Sequence, residues 1–425
     1  MNNNNMNASG KIHPGSWIPS MYFAMGLPFV VIAQASALMY KNLGVSDTQI
    51  ALWTSLIMLP WTLKPLWSPV LEMFRSQKHF VVATQLFSGV TFVLVALTLP
   101  LDNFFQYSIA LLGLIAISGA THDIAADGVY INVLSSEEQA KYIGWQGAAY
   151  NIAKIVSGGA FVYVAGELEK SIGVISAWSI VMSAYGACML FMGIYHIKFL
   201  PKGQTNQNVQ SLKQGLTILR DVIKTFFSKK FVLWYVIFIM LYRFAEGFAI
   251  KIAPLFFKAS TEQGGLGLDT SEIGVIYGTF GAAAFVIGSL LGGYYISSHG
   301  LKKSLFRLAL VFNIPFAVYT LLATFQPDQL WIISLAVVFE YFGYGFGFVA
   351  LILFMMQQIA PGKYRTAHYA FATGIMNLGF MLPSMLSGVL SDWLGYQKFF
   401  IWVLIATVPS LLVAKYVPFN NRLEK

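Results

Sequence analysis

Residues 104–133 read FFQYSIALLGLIAISGATHDIAADGVYINV, an apolar run interrupted by two acidic side chains. The run exceeds the roughly 20 residues that an α-helix needs to cross the hydrocarbon core of a bilayer. Asp123 and Asp127 are separated by one helical turn and therefore share one face of that helix. The stretch predicts a membrane-spanning helix whose acidic face is turned away from lipid.

The composition of the whole chain indicates the same environment. Of 425 residues, 57% are hydrophobic and only 11% are charged, against roughly 25% charged in an ordinary soluble domain. The net charge of +9 does not indicate nucleic-acid binding, because the basic residues occur in short loops between apolar runs. A single cysteine, Cys188, excludes a disulfide framework. This composition excludes a soluble protein and favours one that is covered by lipid.

Apolar runs of similar length recur along the chain, with short breaks between them. The predicted spans are 17–40, 49–71, 80–100, 104–133, 141–165, 172–196, 231–257, 272–297, 304–325, 330–359, 366–390 and 397–418. Only helices suit these spans, because lipid offers no partner for free backbone groups. The predicted fold class is an all-α polytopic membrane protein with twelve transmembrane helices.

One long polar break separates six spans from the next six. The predicted organisation is a disordered N-terminal tail (1–16), an N-terminal six-helix half (17–197), a cytoplasmic central loop (198–230), a C-terminal six-helix half (231–418) and a C-terminal tail (419–425). Within the central loop, apolar residues from Leu212 to Phe226 recur at helical spacing with basic residues between them. That pattern predicts an amphipathic helix on the membrane surface, the alternative being a plain linker.

The distribution of Lys and Arg predicts which side of the membrane each loop faces. With the N-terminus inside, the cytoplasmic loops and tails carry about 19 of these residues and the outer loops about 4. Cytoplasmic loops of membrane proteins carry an excess of basic residues. Both termini are therefore predicted to be cytoplasmic.

Eight ionisable residues fall well inside predicted spans, four of each sign. They are Lys64, Asp123, Asp127, Lys154, Arg243, Glu246, Lys251 and Glu340. Facing lipid, each would cost roughly 3 kcal/mol, or about 24 kcal/mol together, whereas a folded protein has about 5–15 kcal/mol of net stability. These groups must pair with each other or line a wet cavity. Four of the spans without such charges are predicted to face lipid: 80–100, 172–196, 304–325 and 397–418.

Asp123, Asp127 and Lys64 are the predicted proton-coupling residues. Two close carboxylates in a low-dielectric site repel each other, which favours proton uptake by one of them, and a nearby lysine opposes that uptake. Lys64 and Asp127 lie at similar depth from the inner ends of their spans, so a contact between them is expected. The alternative is a permanent ion pair that only fixes helix packing.

Arg243 and Glu246 are three residues apart and can pair within one helix. The functional alternative is that Arg243 clamps an anionic group of a substrate, a task that its planar fork suits. Lys251 lies nearer the outer end of its span, where a lysine is expected to snorkel towards water.

The predicted substrate-binding residues combine membrane charges with nearby aromatic and amide side chains. They are Trp61, Lys154, Tyr150, Tyr242, Arg243, Glu246, Glu340, Asn377 and Gln34. Aromatic rings such as those of Trp61 and Tyr150 offer flat walls to a ring-containing solute. Interfacial anchoring is the simpler interpretation of Trp67 and Trp145.

Several types of site are absent from the sequence. It contains no Gly-Lys-Ser/Thr loop for nucleotide phosphates, no His-Glu-x-x-His and no Cys-x-x-Cys. No ATP motor, metal centre or cofactor is therefore predicted, and the chain is not expected to be an enzyme. Among the six histidines, only His122, beside Asp123, has a suggestive position.

The chain resembles the major facilitator superfamily in its six-plus-six arrangement and in an acidic-basic loop after the second span. The loop reads WSPVLEMFRSQK over residues 67–78, and the residues that match the superfamily's cytoplasmic gate motif are Glu72, Arg75 and Lys78. Ser68 and Pro69 replace the usual glycine opening, and a glutamate replaces the usual aspartate. A second copy, at 292–303, keeps the glycines and bases but lacks the acid.

Within that superfamily the chain is similar to the AmpG-type muropeptide permeases, which are related to acetyl-coenzyme A transporters. The matching stretches are Gly26-Leu27-Pro28, LKPLWSP at 63–69, HDIAADG at 122–128 and VLSSEE at 133–138. They cover the first half of the chain. Lys64, Asp123 and Asp127 fall on positions of the family's motifs.

The resemblance implies a proton-linked importer of cell-wall breakdown sugars carrying anhydro-muramic acid, with or without peptide, in the cell inner membrane. The expected function is secondary transport by alternating access, with a small-molecule substrate, protons and lipid as partners, no nucleic acid, and a monomeric state. Another solute, such as acetyl-coenzyme A or a small peptide, is the alternative. A membrane-embedded acyltransferase is a remote alternative, since only His122 lies near the polar cluster. A sensor would need a sizeable soluble domain, which the chain lacks.

Overall fold

The computed structural model describes residues 12–67, 71, 77–134, 136–202, 212–362 and 364–420. Within these ranges the chain forms helices joined by short turns and loops, with no β-strand. Helices satisfy their own backbone hydrogen bonds, which is what a lipid environment demands. The predicted all-α class is confirmed.

The helices of the first half follow the predicted spans closely. They are α1 (Pro14–Asn42), α2 (Asp47–Leu56), α3 (Leu59–Leu63), α4 (Gln77–Thr98), α5 (Phe104–Val133), α6 (136–172) and α7 (Val174–Phe199). A 3₁₀ turn, Lys64–Leu66, follows α3. α1 and α6 each contain a π-helical turn, at Val31–Ala35 and Val156–Ala160.

The central loop and the second half supply the remaining helices. They are α8 (Leu212–Phe227), α9 (Val232–Tyr242), α10 (Phe244–Lys258), α11 (Thr270–His299), α12 (Leu301–Phe325), α13 (Leu330–Ile359) and α14 (Arg365–Tyr416). α14 is broken at Gly395, whose φ of 71° is a left-handed conformation that glycine adopts without strain. It therefore consists of two segments that meet at this residue.

Nine helical stretches of the described chain are long and apolar enough to cross a membrane. The predicted spans 49–71 and 231–257 are not among them, because each is interrupted. The first breaks after Leu56, and the second breaks at Arg243. The last stretch, Ala367–Tyr416, contains two predicted spans joined at the Gly395 break. The chain is a multi-pass membrane protein, and the total of twelve helices remains a prediction.

The surfaces that carry exposed apolar side chains agree with the predicted lipid-facing spans. Each of the four spans expected to face lipid exposes large apolar residues, for example Leu97, Phe191, Leu321 and Ile405. Spans with internal charges also expose apolar residues on their outer faces, as Phe339 does beside the buried Glu340 on α13. The charged faces are therefore turned inward, as the cost of placing them in lipid requires.

The two halves meet closely at one end of the bundle, where glycines of α6 face glycines of α11. A Cβ atom at Gly278 would overlap the carbonyl group of Gly158, and one at Gly166 would overlap the backbone of Ser271. Only glycine allows two helix backbones to approach this closely.

Polar contacts join the halves at the same end. They are Thr48 Oγ1–Asp392 at 2.5 Å, Tyr396 OH–Asp47 at 2.6 Å, Asn42 Nδ2–Thr270 Oγ1 at 2.8 Å and Lys170–Asp269 at 3.4 Å. The predicted topology places this end outside. The bundle is therefore closed on its predicted outer side.

The amphipathic helix α8 differs in part from its prediction. Its Phe226 is fully buried, with ring centroids 5.3 Å from Phe371 of α14, and Thr225 Oγ1 lies 3.0 Å from His368 Nε2. Part of the apolar face thus packs on the second half instead of on lipid. Leu216 and Phe227 remain exposed.

Candidate functional site

The first ionic contact inside the predicted membrane region joins Lys64 to Asp123. Lys64 starts the 3₁₀ turn after α3, and its Nζ lies 3.6 Å from Asp123 Oδ2 on α5. The other oxygen, Oδ1, is buried and has no hydrogen-bond partner among the described residues. The lysine side chain is 27% exposed and the aspartate 11% exposed, so the pair lies at the edge of an opening and is not sealed in a core.

The expected contact between Lys64 and Asp127 is not formed. Asp127 accepts a hydrogen bond from Tyr22 of α1, with 2.9 Å between Tyr22 OH and Asp127 Oδ1. Four residues along a helix correspond to about 6 Å of rise and about 40° of rotation. Lys64 therefore reaches the nearer carboxylate, while the farther one turns towards α1. The two acids share one face as predicted, yet they have different partners.

Trp61 forms one wall beside this pair. Its indole lies on Gly119, one turn before Asp123 on α5, where any Cβ atom would be 2.7 Å from the ring. The ring also packs edge-to-face against Phe29 of α1, with centroids 5.4 Å apart. Trp61 is only 5% exposed, so it shapes the wall and offers little free surface.

Lys154 lies between the two halves and between two aromatic rings. Its Nζ is 5.2 Å from the ring centre of Tyr150 on α6 and 5.1 Å from that of Phe285 on α11. Within the described part of the chain it forms no ion pair and no hydrogen bond. Cation–π contacts stabilise a desolvated cation by roughly 2 kcal/mol, which offsets only part of the cost of placing it there.

Arg243 and Glu246 are paired with each other, the first of the two predicted arrangements. Arg243 sits at the break between α9 and α10, and its Nε and Nη2 donate to the two oxygens of Glu246 at 2.7 and 2.5 Å. The guanidinium also lies over the rings of Phe348 and Phe380, at 5.1 and 4.5 Å. Its fork is thus occupied by a carboxylate from its own chain.

Tyr242 and Glu340 point into the core of the second half, and neither faces the other half as a substrate-binding residue should. The Tyr242 hydroxyl donates to the Gly347 carbonyl at 2.8 Å, and Glu340 Oε2 accepts from Tyr319 at 2.9 Å. Both side chains are fully buried. Aromatic packing around them fills the space that a substrate would need. Glu340 Oε1 is buried without a hydrogen-bond partner.

Gln34 and Asn377 are partly exposed, and neither side chain makes a hydrogen bond to another described residue. The Gln34 oxygen lies against Gly158, one turn from Lys154 on α6. Asn377 is three residues before Phe380, which covers Arg243. The Gln34 amide thus approaches the region around Lys154 from α1, and Asn377 lies on α14, the helix whose Phe380 covers Arg243.

The remaining predictions have mixed outcomes. Lys78 donates to the Leu200 carbonyl at 2.6 Å, so it links α4 to the end of α7. Glu72 and Arg75 lie outside the described residues. Lys251 is only 6% exposed and does not snorkel as expected, because its helix α10 is enclosed by neighbours there.

The chain matches the family model described as Major Facilitator Superfamily, over residues 20–356 and 239–424. The chain belongs to the Major Facilitator Superfamily. The membrane protein described above is thus a major facilitator transporter, and its predicted fold class and family are confirmed.

Curated relatives of this major facilitator chain cover nearly its whole length. An uncharacterised protein of Haemophilus influenzae is 26% identical over 413 residues, covering 93% of this chain and 92% of that protein. The anhydromuropeptide permease of Escherichia coli is 25% identical over 401 residues, covering 92% and 77%. A putative transporter AmpG 4 of Rickettsia conorii is 21% identical over 407 residues, covering 92% and 93%. These relatives confirm the resemblance to AmpG-type permeases.

Solved structures show the same fold. A bacterial homologue of the lysosomal transporter Spinster, in an inward-facing and unoccupied conformation, gives a TM-score of 0.71 at 15% identity, covering 95% of this chain and 96% of that one. A D-xylose–proton symporter gives 0.70 at 13% identity, covering 95% and 97%. The relatives from Escherichia coli and Rickettsia conorii are named as a permease and a putative transporter, which supports a role other than catalysis.

Sequence reasoning missed a buried polar chain in the first half of this major facilitator protein. It runs from His122 through Gln85 and His196 to Ser20, with successive distances of 2.9, 2.8 and 2.9 Å. The signal was present, because Gln85 and His196 are the polar residues of spans predicted to face lipid. His122 is therefore turned towards α4 and α7, on the side of α5 that Asp123 does not occupy.

Proposed function

We propose that this protein is a proton-coupled importer of a cell-wall-derived amino sugar or anhydromuropeptide. It works as a monomer by alternating access in the cell inner membrane, with both termini in the cytoplasm. The proposal depends above all on the Lys64–Asp123 pair, which lies within predicted spans and leaves one carboxylate oxygen without a partner. A proton-driven carrier needs a group that changes its charge inside the membrane, and such groups are otherwise too costly to keep there.

Proton uptake by Asp123 would convert the ion pair into a neutral acid and a free lysine. The vacant Oδ1 offers a place for the proton, since no donor occupies it. The released Lys64 then has Asp127, one turn away on α5, as its next partner. Among the described residues, Asp127 accepts a hydrogen bond from the Tyr22 hydroxyl in the present state. The predicted Lys64–Asp127 contact thus belongs to the protonated state of the carrier.

The segment that carries Lys64 is suited to transmit this change. Pro60 and Pro65 lie at the starts of α3 and of the 3₁₀ turn after it, so the helical segment is interrupted twice, after Leu56 and after Leu63. The Thr62 carbonyl lies against α14 so closely that a Cβ atom at Gly374 would be 3.0 Å from it. Breaking the ion pair therefore alters the packing of one half on the other.

The path from proton to cargo is short. Tyr150 lies within electrostatic range of the Asp123 carboxylate, and its ring centre is 5.2 Å from Lys154 Nζ. The proposed cargo site is accordingly the region between the halves around Lys154, Tyr150, Gln34 and Asn377, with the Arg243–Glu246 pair at its edge. The printed names of the Escherichia coli and Rickettsia relatives support a muropeptide as the cargo.

The driving force is adequate for uptake. One charge that crosses 100 mV is worth about 2.3 kcal/mol. That energy supports roughly fifty-fold accumulation of a neutral cargo, because about 1.4 kcal/mol corresponds to a factor of ten.

Uptake by proteoliposomes tests the proposal. With labelled anhydro-muramic acid and an imposed proton gradient, Asp123→Asn and Asp127→Asn are each expected to abolish accumulation while counterflow continues. Asp221→Asn, on the exposed face of α8, is the matched control and should accumulate normally. Full gradient-driven accumulation by both variants would contradict proton coupling. Counterflow of acetyl-coenzyme A or a small peptide, without counterflow of the sugar, would identify that solute as the cargo instead of the sugar. No counterflow with any of them would favour an acyltransferase.

A further inference from the structure

The positive charge of Lys154 has no counter-ion in the described part of the chain. A lysine in this position costs roughly 3 kcal/mol when it faces lipid, and a wet cavity lowers that cost without supplying a partner. The Nζ is nonetheless held in a defined place by the Tyr150 and Phe285 rings. A cation that is fixed, partly exposed and unpaired is prepared to bind an anion that the protein itself does not provide.

The charges that neighbour Lys154 have partners of their own. Arg243 is close enough to repel Lys154 electrostatically, yet its own charge is compensated by Glu246 through two hydrogen bonds. Asp123, on the other side of Tyr150, is compensated by Lys64. Both neighbouring pairs are therefore neutral, and Lys154 is the cation beside the Tyr150 and Phe285 rings that has no counter-ion among the described residues.

The uncharged groups around Lys154 favour a polar organic acid. Gln34, whose oxygen lies against Gly158 one turn from Lys154, offers an amide that both donates and accepts hydrogen bonds and is engaged by no other described residue. The Phe285 ring supplies an apolar wall from the second half, while Tyr150 and Lys154 come from the first. An anion bound to Lys154 is therefore in contact with both halves.

We propose that Lys154 binds a carboxylate of the cargo, so that the transported class is a carboxylic acid and not a neutral amino sugar. This inference rests on the proposed function in one respect, that the cargo occupies the space between the halves. It assigns the anion to Lys154, and Arg243 acts only at a distance, through a charge that Glu246 already compensates.

Equilibrium binding to the full-length protein in detergent tests the inference without a proton gradient. The probes are two matched pairs, anhydro-muramic acid with its methyl ester and N-acetyl-Ala-Ala with its amide, together with coenzyme A. Isothermal titration calorimetry should show the acid of at least one pair binding at least tenfold more tightly than its neutral form, since hydrogen bonds to charged groups contribute about 1.5–3 kcal/mol. Lys154→Gln should remove that preference, and Lys154→Arg should retain most of it.

Two further variants distinguish a lost carboxylate site from a loss of folding. Lys251→Gln is the matched control, because Lys251 is also a buried lysine without an acidic partner but has no aromatic ring over its ammonium among the described residues. It should keep the preference for the acid. Phe285→Leu removes one ring beside Lys154 and should weaken binding of the acid severalfold with little change for the ester. If Lys154→Gln yields no folded protein, the wild-type comparison and Phe285→Leu decide.

Each result separates the inference from the proposed function. Equal binding of acid and ester by the wild type would overturn the carboxylate site and leave the amino-sugar importer standing. A Lys154-dependent preference seen only with the peptide pair would support the carboxylate site and overturn the amino-sugar cargo. Binding of coenzyme A alone, or of no acid at all, would overturn the inference.

Discussion

Each half of the molecule has one ion pair inside the predicted membrane region, and the two pairs are built differently. Arg243 and Glu246 come from one helix break, meet through two hydrogen bonds of 2.7 and 2.5 Å, and lie between aromatic rings. Lys64 and Asp123 come from different helices, are 3.6 Å apart, and leave one oxygen unpartnered. A pair within one segment survives rearrangement of the bundle, whereas a pair between helices lasts only while those helices stay packed together.

The largest expected effect follows from breaking the Arg243–Glu246 pair. Arg243→Ala leaves Glu246, which is fully buried, without its counter-ion. Removal of one partner of a buried pair typically costs about 3–5 kcal/mol, so we expect a strong loss of thermal stability in detergent. The double variant Arg243→Met with Glu246→Leu should recover most of that loss. An unchanged melting temperature for Arg243→Ala would show that the pair does not stabilise the second half.

The two halves can also be compared through one carboxyl group in each that accepts a hydrogen bond from a tyrosine. These groups are Asp127, bound by Tyr22, and Glu340, bound by Tyr319. Tyr319→Phe leaves the fully buried Glu340 with no described partner, and the expected cost is about 1–3 kcal/mol of stability. Tyr22→Phe removes the partner of Asp127, which lies in the less enclosed cluster, and should cost less stability but alter proton-driven uptake. Both variants are compared by thermal unfolding and by accumulation in proteoliposomes. Equal effects on both measurements would abolish the distinction between the halves.

Breaking the pair between helices should affect transport more than stability. Lys64→Met leaves Asp123 without a cation, and accumulation is expected to fall about tenfold or more, equivalent to about 1.4 kcal/mol. The melting temperature should change little, because a partly exposed pair contributes only about 0–1 kcal/mol. Uptake is measured against counterflow, which should continue. A large loss of stability with normal uptake would mean that this pair only fixes helix packing.

The smallest expected effect comes from making the Lys64–Asp123 pair resemble the Arg243–Glu246 pair. Lys64→Arg supplies a fork that can bind both oxygens of Asp123, including the vacant Oδ1. A tighter pair opens more slowly, so we expect uptake to slow severalfold without loss of folding. Lys41→Arg, which changes a lysine that already pairs with Asp47 at 2.6 Å at the other end of the bundle, is the comparison variant. Faster uptake by Lys64→Arg would indicate that opening of this pair is not a slow step.

Much of the site was predictable because charges in apolar spans are conspicuous. The eight membrane charges predicted a polar interior, and the motif positions selected Lys64, Asp123 and Asp127. The choice of partners was not predictable, since it depends on small rotations of neighbouring helices. Lys64 meets Asp123 and not Asp127. Glu340 and Tyr242, equally conspicuous in the sequence, face the core of their own half.

The sequence by itself determined that this chain crosses the membrane many times as helices, that its charges face inward, and that it belongs to a transporter superfamily. The first two properties follow from the cost of exposing charge or backbone to lipid, which acts on each residue wherever it stands, and the third follows from motifs that resemble those of the superfamily. Only the tertiary structure decided which charges neutralise one another and which cations, Lys154 and Lys251, have no acidic partner among the described residues. Pairing depends on distances of a few ångströms between helices that are far apart in sequence, and such distances are set by packing, above all where α6 and α11 meet through their glycines.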